Sequence, residues 1–95
     1  MAFSYSDKNF TVIGNLCFVH ILVSDKNAQY EIPFAIADRM LVKNIALYYY
    51  SYGESVETGN FGLVIISNDK IRFKTVYDDY INGYVNFYFP IDSNK

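Results

Sequence analysis

Apolar and polar residues alternate with period two along much of this 95-residue chain. Ile71, Phe73, Thr75 and Tyr77 alternate with Arg72, Lys74, Val76 and Asp78, which predicts a strand with one buried and one wetter face. Val85, Phe87 and Phe89 alternate in the same way with Tyr84, Asn86 and Tyr88. Pro90 ends that run, because it cannot donate to a central ladder. Ile45, Leu47 and Tyr49 alternate with Ala46, Tyr48 and Tyr50. Two further runs, Leu16–Val23 and Leu63–Ile66, are apolar at both parities. That pattern suits a strand covered on both faces, by a second sheet or by another subunit.

Turn chemistry separates the runs. Gly14-Asn15 is a good two-residue hairpin loop, since both residues tolerate positive φ. Phe10–Ile13 and Leu16–Val23 are therefore expected to pair as a tight hairpin whose register that loop sets. Ser67-Asn68-Asp69-Lys70 reads as a second hairpin turn and Asn82-Gly83 as a third. Only the stretch around Ile36–Val42 invites a helix, and it is short and follows Pro33, so a loop or a single turn is expected. The pattern predicts an all-β domain of six to eight short strands, a small antiparallel β-sandwich of jelly-roll-like kind. A single domain would span residues 10–91, with an N-terminal extension over 1–9 and a tail over 92–95. Val12, Phe18, Leu47, Ile65, Phe73, Val85 and Phe87 are the expected core.

Composition narrows the function. The chain is 52% apolar and 19% aromatic, too rich in both to be disordered. The net charge is −2 and the eight basic residues are scattered, so no footprint for a nucleic-acid backbone is present. Leu16–Val23, the longest apolar run, is broken by His20 and is less than half a membrane span. The N-terminus MAFSYSDKNF has neither the basic region nor the apolar region of a signal peptide. Neither nucleic acid nor membrane is thus an expected partner. The lone Cys17 cannot form an internal disulfide, which fits synthesis in a reducing cytoplasm.

Groups suited to catalysis are sparse. His20 is the only histidine, and Cys17, three residues away on the same strand, must point to the opposite face. A local Cys–His pair is excluded, and no second His exists for a metal site of ordinary geometry. Cys17 reads as a small buried apolar residue, and His20 as a strand residue with one hydrogen bond. Asp78-Asp79 is the best acidic pair, but calcium wants six to eight oxygens and no EF-hand spacing is present. Gly59 and Gly62 are not followed by the Lys-Ser/Thr of a phosphate cradle. No enzyme, metal or cofactor is expected. Aromatic residues carry the remaining signal. Tyr48, Tyr50 and Tyr52 share one strand face and offer rigid surfaces for stacking on sugar rings. Asp78, Asp79 and Asn82 are the candidate hydrogen-bond partners. The alternative is that these tyrosines cover the core or fill a subunit contact.

The order of the pieces carries a resemblance. Ile13-Gly14-Asn15-Leu16-Cys17-Phe18-Val19 opens the pattern, Ile32-Pro33-Phe34 follows a second strand, and the aromatic strand Gly83–Phe89 closes it. From Phe10 to Pro90 the chain resembles the small C-terminal head, or tip, domains of phage tail fibres and baseplate receptor-binding proteins. The resemblance implies a homotrimeric β-sandwich that recognises a host cell-surface saccharide without catalysis. It also implies a place at the virion tail tip after synthesis in the host cytoplasm, or in the cytoplasm for a free-standing relative. No binding residue carries over by motif, so the candidate contacts rest on the strand reading. Two other roles fit the same features: a small phage protein that sequesters or inhibits a host factor, and a structural tail-assembly module.

Overall fold

The computed structural model describes residues 3–23, 28–51, 60–75 and 83–95. Among these residues there are seven strands: β1 (Phe10–Ile13), β2 (Leu16–Val23), β3 (Gln29–Glu31), β4 (Asn44–Ser51), β5 (Asn60–Ser67), β6 (Lys70–Thr75) and β7 (Gly83–Pro90). A single helical turn, α1 (Phe34–Ala37), lies between β3 and β4. The strands form two antiparallel sheets, β1-β2-β7 and β3-β6-β5-β4. The chain is an all-β domain of sandwich-like build, as the period-two pattern predicted. In the second sheet β4, β5 and β6 follow one another as hairpins, and β3 returns to lie beside β6. That is a Greek-key order, with α1 on its long connection.

Both tight turns fall where the sequence placed them. Gly14 has φ +61°, the left-handed conformation that costs glycine little, and the β1–β2 register runs from Ile13 opposite Leu16 to Phe10 opposite Val19. Asn68 takes φ +57° between β5 and β6, a conformation asparagine tolerates better than most residues. This second turn also ties distant segments together. The Ile32 amide donates to the Asp69 carbonyl at 2.7 Å, and the Asn68 amide to the Lys43 carbonyl at 2.7 Å. The expected turn at Asn82-Gly83 lies at the edge of the described residues: Asn82 falls outside them and Gly83 begins β7.

Pro33 launches α1, because its fixed φ of −52° precedes the turn and its carbonyl accepts from both Ile36 and Ala37. The turn stops after four residues, where the Lys43 ammonium donates to the Ala37 carbonyl. Ile36 and Ala37 are its buried residues.

The core lies between the sheets. Cys17, Val19, Ile21 and Val23 of β2, Val64 and Ile66 of β5, Ile71 and Phe73 of β6, and Val85, Phe87 and Phe89 of β7 fill it with Ile32, Ile36, Met40 and Ile91. Phe73, Val85 and Phe87 are buried as expected, and Val12 and Leu47 pack partly buried against the same cluster. Phe18 and Ile65 are corrections. Both point outward, at 39% and 37% exposure, because the adjacent positions Cys17, Val19, Val64 and Ile66 take the inner face. A strand apolar at both parities does not announce which parity faces in.

Residues 3–9 and 92–95 pack on the strand body. The Phe3 amide donates to the Ser93 carbonyl at 2.7 Å, and the buried Ser93 hydroxyl donates to Asn15 Oδ1 at 2.7 Å. The Val12 amide donates to the Tyr5 carbonyl, and Ser6 bridges to Thr11, so residues 5–7 cover the outer edge of β1. The Arg39 guanidinium lies 3.8 Å from the Phe3 ring centroid, and the Asp92 amide donates to the Arg39 carbonyl.

Asp7 organises the entry to β1. Its Oδ1 accepts from the Asn9 amide at 2.8 Å and the Phe10 amide at 2.7 Å, and its Oδ2 accepts from the Tyr5 hydroxyl at 3.1 Å. Partial desolvation raises the carboxyl pKa, but the Phe10, Asn9 and Tyr5 hydrogen bonds and the Lys8 charge outweigh it and hold it below the ordinary value. A depressed folded-state pKa contributes stability that is present above the unfolded pKa, about 3.9 for Asp, and is lost as pH falls through the folded one. Asp7→Ala should therefore cost about 1 kcal/mol or less at neutral pH, since the group is solvent-exposed. The deficit should shrink below about pH 4; urea titrations across pH measure it, and a deficit that grows on acidification contradicts the assignment. Phe89→Ala, near the C-terminal end of β7 and 1% exposed, should cost about 3–5 kcal/mol in the same titrations.

Candidate functional site

β2 and β7 form an eight-residue antiparallel ladder, from Leu16 opposite Pro90 to Val23 opposite Gly83. Period two then sorts every side chain. With Cys17, Val19, Ile21 and Val23 inside on β2, and Val85, Phe87 and Phe89 inside on β7, the outer face receives Phe18, His20, Leu22, Tyr84, Asn86 and Tyr88. Phe18 lies directly opposite Tyr88, His20 opposite Asn86 and Leu22 opposite Tyr84. Cross-strand partners on one face sit close enough to interact, and Phe18 with Tyr88 and His20 with Asn86 do.

The Phe18 and Tyr88 rings are tilted at 40° with centroids 5.6 Å apart. The His20 and Tyr84 rings stack across the diagonal at 4.3 Å and 9°. His20 Nδ1 is hydrogen-bonded to Asn86 Oδ1; the amide oxygen accepts, so Nδ1 carries the hydrogen and Nε2 is left to other partners. Tyr84 and Tyr88 remain 51% and 58% exposed. Stacking and hydrogen bonding between neighbours hold these rings in place while their outer surfaces stay in water.

β1 is only half as long as β2, and this shapes the face. Pairing of β1 with β2 ends at Val19, and the next amide, that of His20, donates to the Asn9 carbonyl at 2.8 Å. Beyond that point the β1 side of β2 is open among the described residues. Two hollows result. One, of about 240 Å³, lies among Lys8, Asn9, Thr11, Phe18, His20, Asn86 and Tyr88. The other, of about 440 Å³, lies among Lys8, Asn9, His20, Leu22, Tyr30 and Tyr84. They share Lys8, Asn9 and His20. Tyr30 reaches in from β3, its hydroxyl 3.4 Å from the Leu22 carbonyl oxygen.

A third hollow, of about 230 Å³, lies on the far side of α1 among Phe34, Ala37, Asp38, Lys43, Asn68 and Asp69. Its polar groups are largely committed: Lys43 to the Ala37 carbonyl, and Asp38 Oδ1 to the Lys95 ammonium at 3.3 Å.

The expected contacts fall elsewhere or outside view. Tyr48 and Tyr50 lie on β4, opposite Leu63 and Phe61 of β5, in the other sheet. Ile45 and Leu47 are the β4 residues packed against the core. Tyr52, Asp78, Asp79 and Asn82 lie outside the described residues. The aromatic face of β2 and β7 was not singled out as a site by the sequence. Its signal was present in the alternation of Tyr84, Asn86 and Tyr88 against Val85, Phe87 and Phe89, but only the strand pairing joins it to Phe18 and His20.

Cys17 is fully buried, and burial pushes its thiol up to about 12, with the Asp7 charge adding to the effect. Cys17 and His20 are on opposite faces of β2, as expected. Among the described residues no three His, Cys, Asp or Glu side chains gather in a way that could hold a metal ion. No helix of the described residues is long and apolar enough to cross a membrane.

The fold and this face together define a small all-β domain with an aromatic and amide-bearing sheet surface. The chain matches no protein-family model, no curated protein and no solved structure.

A thiol held neutral and out of water should be inert. Native protein treated with Ellman's reagent at pH 8 should release almost no thiolate over an hour, and one equivalent once denaturant is added. Prompt release from native protein would show that Cys17 is accessible.

Proposed function

We propose that this chain is a non-enzymatic binding module of phage or prophage origin that recognises a host cell-surface saccharide on the outer face of the β1-β2-β7 sheet. The observation that carries the reading is the row of exposed rings, Phe18, Tyr88 and Tyr84, interleaved with the side-chain amide of Asn86 and the imidazole of His20. Sugar rings present an apolar face and a rim of hydroxyls. They call for a flat aromatic surface beside fixed donors and acceptors, with little reordering on binding. The hollows are open and of a size for one or two sugar units rather than an engulfed ligand.

The phage assignment rests on the motif order, Gly14-Asn15, Ile32-Pro33-Phe34 and Gly83–Phe89, and would place the module at a tail tip. A homotrimer belongs to the same proposal. Ile65 and Ala46 on the outer face of the four-stranded sheet, and Leu41 and Val42 on the connection into β4, give exposed apolar surface for a self-contact away from the aromatic face.

Tyr88→Ala and Tyr84→Ala should each weaken glycan binding by about 1–3 kcal/mol, in the range of other aromatic anchors. The melting temperature should hardly move, because both residues are exposed. Glycan arrays, thermal melts and light scattering on the same samples separate the possibilities. Scattering should report three times the 11.0 kDa chain mass for the parent and for both variants. If either variant instead dissociates the assembly, the aromatic face is a subunit contact and not a ligand platform.

A further inference from the structure

The two hollows that flank His20 have an uneven charge. Lys8 stands on the rim of both, and among the described residues no Asp or Glu lines either. This contrasts with the chain as a whole, where acidic residues outnumber basic ones and the net charge is −2. The adjacent carboxylate, Asp7, interacts electrostatically with Lys8 but lines neither hollow, and it already accepts from the Asn9 and Phe10 amides and the Tyr5 hydroxyl. Three other lysines are engaged: Lys70 with Glu31, Lys95 with Asp38, Lys43 with the Ala37 carbonyl. Lys8 makes no hydrogen bond or ion pair among the described residues. Around it stand the Asn9 side chain and the imidazole of His20, whose Nδ1 is occupied by Asn86.

We infer that the ligand of this face is an acidic saccharide, whose carboxylate or phosphate group is met by Lys8 while its ring lies on Phe18 and Tyr88. The inference rests on the saccharide reading of the face given above and adds the charge of the sugar to it. An exposed ammonium opposite an anionic group contributes modestly, and among the described residues no carboxylate lines the hollows to oppose it. Because the pair would sit in water, salt should screen it, with a Debye length near 10 Å at about 0.1 M and 3 Å at about 1 M.

The test uses the full chain and measures dissociation constants by amide chemical-shift titration. The probes are trigalacturonic acid, glucose 6-phosphate, neutral maltotriose and inorganic phosphate alone. At about 20 mM salt, trigalacturonic acid should bind about three- to fivefold more tightly than maltotriose, the ratio expected of one exposed ion pair. At about 0.5 M salt the two should converge. Lys8→Gln should bring the acidic trisaccharide down to the neutral one's affinity, Lys8→Arg should keep the preference, and Lys74→Gln on the other sheet should leave it intact. A tighter response to glucose 6-phosphate than to trigalacturonic acid would assign the group as phosphate, and the reverse as carboxylate; both uphold the inference. Equal binding of acidic and neutral trisaccharides, or a preference that survives Lys8→Gln, overturns it while the saccharide reading stands. Inorganic phosphate binding as tightly as either acidic sugar overturns it in favour of a plain anion site. If no saccharide shifts any resonance of β2 or β7, both the inference and the saccharide reading fall.

Discussion

The ladder between β2 and β7 is the constraint on which the rest depends. It joins residues 16–23 to residues 83–90, across more than half the length of the chain, along eight consecutive pairs. Its inner face supplies seven buried core side chains, from Cys17 to Phe89. Each fully buried Val, Ile or Phe contributes about 1.5–3 kcal/mol of transfer free energy, so this one pairing carries a large share of the stabilisation. Long-range pairing also pays a loop-closure cost before it gains anything, which makes the ladder a poor place to tolerate a register error. A slip of β2 by one residue would turn Cys17, Val19, Ile21 and Val23 to water and bring Phe18, His20 and Leu22 inside.

That same constraint creates the outer face. Once the inner positions are set, Phe18, His20, Leu22, Tyr84, Asn86 and Tyr88 have nowhere to go but the other side. Their mutual contacts soften the cost of exposure: the Phe18–Tyr88 pair and the His20–Tyr84 stack shield part of each ring, and the Asn86 amide satisfies one imidazole nitrogen. A surface built this way is rigid because the strands beneath it are rigid. Rigid aromatic surfaces bind with little loss of conformational entropy, which is why the proposed role is recognition rather than chemistry.

The ends of the chain serve the same sheet. Residues 5–7 line the open edge of β1, and Asp7 gathers the amides of Asn9 and Phe10 so that Lys8 and Asn9 stand on the rim of the hollows. At the other terminus the Ser93 hydroxyl meets Asn15 Oδ1 at the β1–β2 turn, and Ile91 bridges to Met40. Sheet edges left bare invite pairing with other chains, and here two of them are partly covered by non-strand backbone.

Local chemistry determined a good deal of this from the sequence alone. Gly14-Asn15 and Asn68-Asp69 set their turns because few residues tolerate positive φ, and the bounds of β1, β2 and the β5–β6 hairpin followed. Alternation at Ile71–Lys74 and Tyr84–Phe89 assigned faces correctly, since one parity there is plainly more polar. Pro33 and the short apolar stretch after it limited α1 to a single turn. Where both parities are apolar, as at Phe18 and Ile65, alternation is silent, and only the packing of Val19 and Val64 between two sheets decided which side faces water. The candidate site was beyond local reading for a related reason. Tyr84 and Tyr88 are some seventy residues from Phe18, and Lys8 meets neither along the chain. Tertiary pairing of β2 with β7, and the early end of β1, brought rings, amide, imidazole and ammonium onto one surface.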